Sequence, residues 1–157
     1  MQKVDVKNVA ERRQIRYATI DDMLADVEKL AASPTTRTLG NWPLEQLLMH
    51  LAGAMNGSID GIRAKAPWWI RLVGKFIKGR ILKNGTSPGF NLPREVESKF
   101  FPSASREDAF DAFRKAVGRI RSESMTSPHP VFGPMTTDEW TKLHLHHAAM
   151  HLSFAVP

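Results

Sequence analysis

From about Thr19 to Ala32, the apolar residues Met23, Leu24, Val27 and Leu30 recur every three or four positions, which lays them along one face of a helix. Thr19 can cap this helix, Asp21 and Asp22 suit its positive end, and Ser33-Pro34 ends it. Asn41-Trp42-Pro43 opens a stronger helix, with Pro43 tolerated in the first turn and Leu44, Leu47, Leu48, Leu51, Met55, Ile59 and Ile62 at helical spacing. His50 falls inside that apolar pattern. From Pro67 to about Lys83, PWWIRLVGKFIKGRILK alternates apolar pairs with cations, and the glycines and prolines of GTSPGFNLP then read as a long loop. Ser105 caps SREDAFDAFRKAVGRIRSES, which has acids in its first turn, bases toward its end and Phe110, Phe113, Val117 and Ile120 on its inner side. After the turn-rich TSPHPVFGP, Thr137 is expected to cap a last helix carrying Trp140, Leu143, His144, His147, Met150, His151 and Phe154. No run of alternating β-branched residues bounded by hairpin turns interrupts this series. The pattern predicts an all-α antiparallel four-helix bundle, with an additional short helix and a long loop between the second and third core helices.

Composition narrows the class. A chain of 157 residues has the size of one domain, so residues 1–157 are read as a single bundle. With 42% apolar and 24% charged residues it is unlike a disordered or fibrous chain. The opening MQKVDVKNVAERRQ lacks the continuous apolar run of a signal peptide or membrane span, and a cytoplasmic location is expected. There is no cysteine, which excludes disulfides and thiolate ligation and leaves nitrogen or oxygen to hold any metal. Lys and Arg exceed Asp and Glu by 22 to 16, a formal charge of +6 that could draw phosphates, acidic lipids or anionic substrates.

The chemistry lies in the histidines. Residues four apart on a helix are separated by about 40° of rotation and about 6 Å of rise, so His147 and His151 project side by side and can share one cation. Two imidazoles make a labile clamp, and a transition-metal site usually wants at least three protein ligands. His50, among Leu47, Leu51 and Ala54 on the inner side of its helix, is the candidate third, because bundles place metals at inward positions of facing helices. A lone histidine on an apolar face is more often a hydrogen-bonded core residue; the His-x-x-x-His pair is what shifts the reading. Imidazole suits Zn, Ni, Fe and Cu, and the lack of an inward carboxylate triad argues against Mg and Ca.

Other residues receive lesser roles. His144 lies on nearly the same stripe as His147, as an outer partner or an alternative ligand, whereas His146 is expected to face solvent. His129, between Pro128 and Pro130, reads as a turn or gate. Gly57 and Gly61, near the face of His50, either open a cavity beside the metal or permit close helix crossing. Asp138 and Glu139 read as first-turn acids, and Gln46 as a contact behind the ligands.

The segments NWPLEQLLMHLAGAMNGSIDG and HPVFGPMTTDEWTKLHLHHAAMHLSF, taken together, resemble the DinB-like (DinB/YfiT) superfamily of metalloenzymes, and within it an uncharacterised subgroup. The resemblance spans most of residues 19 to 155. It implies a four-helix bundle, with the family's first metal histidine at His50 and its closing pair at His147 and His151. It also implies that thiol-dependent transfer is a possible chemistry, and that a homodimer is plausible.

Two functions are therefore expected to compete. In the first, a divalent transition metal, zinc or nickel foremost and iron as a further choice, activates a thiol or a water for transfer or hydrolysis of a small-molecule substrate. A low-molecular-weight thiol is the partner it suggests. In the second, a non-catalytic module uses the basic segment 63–83 at a membrane surface or nucleic acid, with Arg71, Lys75 and Lys78 on one stripe and Trp69, Val73 and Phe76 on other sides. No reading helix or zinc-finger spacing accompanies the charge, so no specific nucleic acid is expected.

Overall fold

A computed structural model describes residues 3–63, 66–89 and 99–157. Among them are five helices: α1 (Ile20–Ala32), α2 (Leu44–Asp60), α3 (Trp68–Asn84), α4 (Arg106–Ser122) and α5 (Thr137–Leu152). The protein is an all-α helical bundle, with α1, α2, α4 and α5 contributing to one core and α2 packing most extensively on α4. The additional helix α3 has 17 residues, the same as α2, and lies against α5. The Phe90–Pro93 half of the long loop lies outside the described residues.

The helix ends follow from their capping chemistry. The Thr19 hydroxyl accepts from the Asp22 amide while the Asp22 carboxylate accepts from the Thr19 amide, so α1 begins in a reciprocal capping box. Ser105 caps α4 in the expected way. The last helix is capped by Thr136, not Thr137, because it is Thr136 that stands three residues before Glu139 and exchanges the same pair of bonds with it. At the end of α2, Gly61 takes φ +95° and stops the helix, leaving Ile62 just outside it. A Cβ on Gly57 would lie 2.6 Å from Ile62 Cγ1, so this glycine makes room for its own chain turning back. The cavity-opening role considered for Gly57 and Gly61 is therefore set aside.

Met23, Val27 and Leu30 of α1, Leu48 and Met55 of α2, Phe113 and Val117 of α4 and Trp140 and Leu152 of α5 are all within 2% of full burial. Each contributes about 1.5–3 kcal/mol by leaving water, which is what holds four amphipathic helices together. Trp140 also has a polar end to satisfy, and its Nε1 donates to the Ser127 carbonyl at 3.0 Å.

Two short links decide how α5 sits beside α2. Past the end of α5, where Phe154 lies, Ala155–Val156 pairs antiparallel with Arg37–Thr38, with Thr38 opposite Ala155. These two-residue strands (β1 and β2) were not expected, since so short a ladder carries no periodicity. The Leu39 amide adds a bond to the Phe154 carbonyl at 2.9 Å. The ladder thereby holds the last turn of α5 next to the chain that enters α2. Arg13 secures the other side: its guanidinium forms a bidentate pair with Asp26 of α1 at 2.7 and 2.8 Å and reaches the Leu152 carbonyl at 3.1 Å.

The inner side of α3 docks through Gly74, which is buried; a Cβ there would lie 2.4 Å from the Val131 carbonyl oxygen. Lys78 donates to Glu139 at 2.7 Å and to the Pro134 carbonyl at 3.0 Å, fixing the helix from a second point. Gly74→Ala should therefore push α3 off the bundle and cost about 1–3 kcal/mol in urea denaturation. Gly79→Ala, where nothing lies within 4 Å of the added carbon, should be neutral or stabilising by up to about 1 kcal/mol. Equal effects of the two substitutions would contradict this packing.

Candidate metal centre

His50 lies in the middle of α2, and His147 and His151 occupy the last two turns of α5. The four-residue spacing places the latter pair on one side of the helix, and their Nε2 atoms are 3.0 Å apart. The Nε2 of His50 comes across from α2 to 3.0 Å from that of His147. One nitrogen from each of the three lies within 4.8 Å of the others, so the group could hold a metal ion. Two nitrogens each about 2.0–2.1 Å from one ion, at about 90–110° to each other, are roughly 2.8–3.4 Å apart. The two observed separations fall in that window.

The tautomer of His50 is set by its other nitrogen. Nδ1 is 2.9 Å from the Phe100 carbonyl oxygen, which can only accept, so Nδ1 carries the proton and Nε2 keeps its lone pair toward the cluster. A carbonyl behind the ring is the usual way a ligating imidazole is oriented and made more basic.

Burial sets the charge state. Loss of solvent lowers His50 to about 4, against the weaker pull of the Phe100 carbonyl. Burial, and then repulsion from His50, lowers His151 to about 3. His147 is pushed well below the ordinary imidazole value, first by burial and then by its histidine neighbours, His151 before His50. Three neutral rings at pH 7 are ready to ligate without first losing a proton.

An aromatic wall stands against the cluster. Phe101 stacks on the His50 ring at 4.1 Å, and Trp42 stacks on the far face of the series at 4.0 Å from Phe101, nearly parallel at 4°. Phe101 also meets His151 edge-on at 5.8 Å. Neither Phe100 nor Phe101 was singled out from the sequence. The only hint is the Phe-Phe-Pro run outside any helical pattern.

The remaining histidines separate cleanly from the three. His144 is buried, with Nε2 3.1 Å from the Ser58 hydroxyl and its ring stacked on Trp140, so it joins the core and not the cluster. His129 accepts at Nδ1 from the Val131 and Phe132 amides, both at 3.1 Å, which makes it the keystone of its turn. His146 does not face open water as expected: it is half-buried, with Nε2 3.2 Å from the Leu82 carbonyl, because α3 covers that side of α5. Gln46 donates to Ser103 at 3.0 Å and stands behind none of the three rings among its described contacts.

A cavity of about 840 Å³ adjoins the cluster, and His50, His147 and His151 line it. Its walls are mostly apolar, among them Leu47, Ile70, Ile77, Val131 and Met150. Arg80 and Lys3 supply positive charge, and no carboxylate lines the cavity among the described residues. The Thr86 hydroxyl, on the same wall, is buried without a hydrogen-bond partner among the described residues.

Comparison with known proteins places the chain in one family. The model of a family described as "protein of unknown function (DUF1569)" matches residues 9–157, and the protein belongs to that family. No curated protein and no solved structure matches.

Proposed function

We propose that this protein is a metal-dependent enzyme of the DinB-like superfamily, in which His50, His147 and His151 hold one divalent transition metal ion. Zinc or nickel is the first choice and iron the next, since three neutral nitrogens, with no carboxylate beside them among the described residues, make a donor set for borderline cations. The observation that carries this reading is the approach of the His50 and His151 Nε2 atoms to 3.0 Å from that of His147, with His50 oriented by the Phe100 carbonyl. Three protein ligands would leave coordination positions for water or substrate, and the three histidines line the cavity that would admit them.

A cation held there supplies Lewis acidity, which lowers the pKa of a bound thiol or water and makes a nucleophile at neutral pH. The residues of the chain provide the rest. The apolar walls receive the hydrocarbon body of a substrate and exclude bulk water. Arg80 favours a substrate with an anionic end. Between the two nucleophiles, the apolar lining suits a thiol, whose hydrocarbon body it can pack, and among the described residues no carboxylate lines the cavity.

Cobalt substitution tests this directly. Adding small thiols to the cobalt-loaded protein is expected to produce a thiolate-to-cobalt charge-transfer band, with transfer of the thiol to an electrophile as the accompanying activity. A loaded protein whose spectrum ignores every thiol offered would remove the thiol reading and leave hydrolysis.

A further inference from the structure

Among the described residues, six of the eight large hydrophobic side chains that stand exposed belong to α3: Trp68, Trp69, Leu72, Val73, Phe76 and Ile77. Phe76 is 83% exposed and Trp68 76%, values that leave nearly the whole ring in water. Trp69, Leu72, Val73 and Phe76 stand at i, i+3, i+4 and i+7, so they form one face and not a scatter. The opposite side of the helix is already satisfied, with Gly74 against Val131 and Ile70 and Ile81 lining the cavity. A contiguous apolar face of this kind on a protein surface marks an interaction site.

The charges around that face select its partner. Arg63, Arg71, Lys75, Arg80 and Lys83 are all exposed, and the sequence holds no Asp or Glu from Gly61 to Arg94. Lys75 borders the apolar face beside Trp68, Arg71 lies further round the helix, and Arg80 and Lys83 continue the line of the face in the next turns. A second copy of the chain is disfavoured, because a two-fold contact through α3 would set one row of cations against another with no acid between them. Spanning is excluded as well: no helix among the described residues is long and apolar enough to cross a membrane. What remains suited to aromatic rings bordered by cations is the boundary of an anionic bilayer, where Trp and Phe sit at headgroup depth and Lys and Arg meet phosphate.

We propose that α3 seats the protein on an anionic phospholipid surface, with Trp68, Trp69, Leu72, Val73 and Phe76 entering the headgroup region and the flanking Arg and Lys side chains meeting lipid phosphates. This does not depend on the metal reading. It gives the apolar face a role that the cluster in the cavity does not.

The test is sedimentation of the full chain with vesicles of phosphatidylglycerol mixed with phosphatidylcholine, compared with phosphatidylcholine alone. Binding is expected only to the anionic vesicles, weakening as salt is raised, with a blue shift of tryptophan emission from Trp68 and Trp69. Phe76→Glu should reduce binding by about tenfold or more. Removing two cations in Arg71→Gln/Lys75→Gln should reduce it by about fivefold for each charge. These side chains are exposed, so both variants should keep the far-ultraviolet circular dichroism and the zinc affinity of the parent, which separates this surface from the histidine cluster. No binding to anionic vesicles at low ionic strength would overturn the proposal, as would equal binding to both kinds of vesicle. So would self-association abolished by Phe76→Glu, or capture of duplex DNA or an acidic protein, without vesicle binding.

Discussion

His147→Ala is expected to empty the protein of metal. His147 is the middle member of the cluster, 3.0 Å from each of the other two nitrogens, so its loss leaves His50 and His151 as a pair drawn from different helices. Removing a group that merely orients a ligand typically costs about 10–100-fold in metal affinity, and removing a ligand itself should cost more than about hundredfold. Metal content by elemental analysis should fall from about one ion per chain to near zero. A second readout does not depend on activity: zinc at about 100 times its Kd should stabilise the parent by about 2.7 kcal/mol and the variant hardly at all. His144→Ala is the matched control, since that ring bonds to Ser58 within the core. It should lower stability yet keep the zinc-dependent shift. If His147→Ala retains its ion while His144→Ala loses it, the ligands have been assigned to the wrong histidines of α5.

The second large effect concerns acid. His50, His129 and His144 are each held at about 4, and His151 at about 3, by burial that disfavours the charged ring. An unfolded histidine titrates near 6.5, so between that value and about 4 the unfolded chain binds more protons than the folded one. Stability from these groups is complete above about pH 6.5 and is lost as the pH falls toward 4. His144, which is almost wholly buried, accounts for on the order of 3 kcal/mol by itself. Against a typical total of about 5–15 kcal/mol, several such groups bring unfolding within reach near pH 4–5. Urea denaturation of the chelated protein across this range should show a steep decline that His144→Gln makes shallower. Zinc should steepen it, because protons and metal compete for the same nitrogens. A flat profile from pH 6.5 to 4 would mean that the histidines are solvated.

How much of this was legible in the sequence depends on how local each signal is. The Thr19 capping box and the apolar stripes of α1, α2 and α4 are written within a turn or two of themselves, and the helices form where those stripes lie. The His147 and His151 pairing follows from the helical period alone, and His50 was found because it interrupts a run of leucines. The Phe101 and Trp42 sandwich could not be read in the same way. It brings together residues 59 positions apart from segments with no periodicity, and only the folded chain makes them neighbours. The half-burial of His146 has the same origin, since the helix that covers it is far away in sequence. The β1–β2 ladder, two residues on each side, is too short to leave a pattern, yet it helps to hold the end of α5 beside α2.

The central claim is most directly tested by diffraction from crystals of the purified protein, with anomalous differences collected at the zinc, nickel and iron edges. The account predicts one strong peak about 2.0–2.1 Å from the Nε2 atoms of His50, His147 and His151, above the edge of a single element. A map with no peak there after the protein has been soaked in each metal, or an ion bound elsewhere while the three rings bond only to one another, would contradict it.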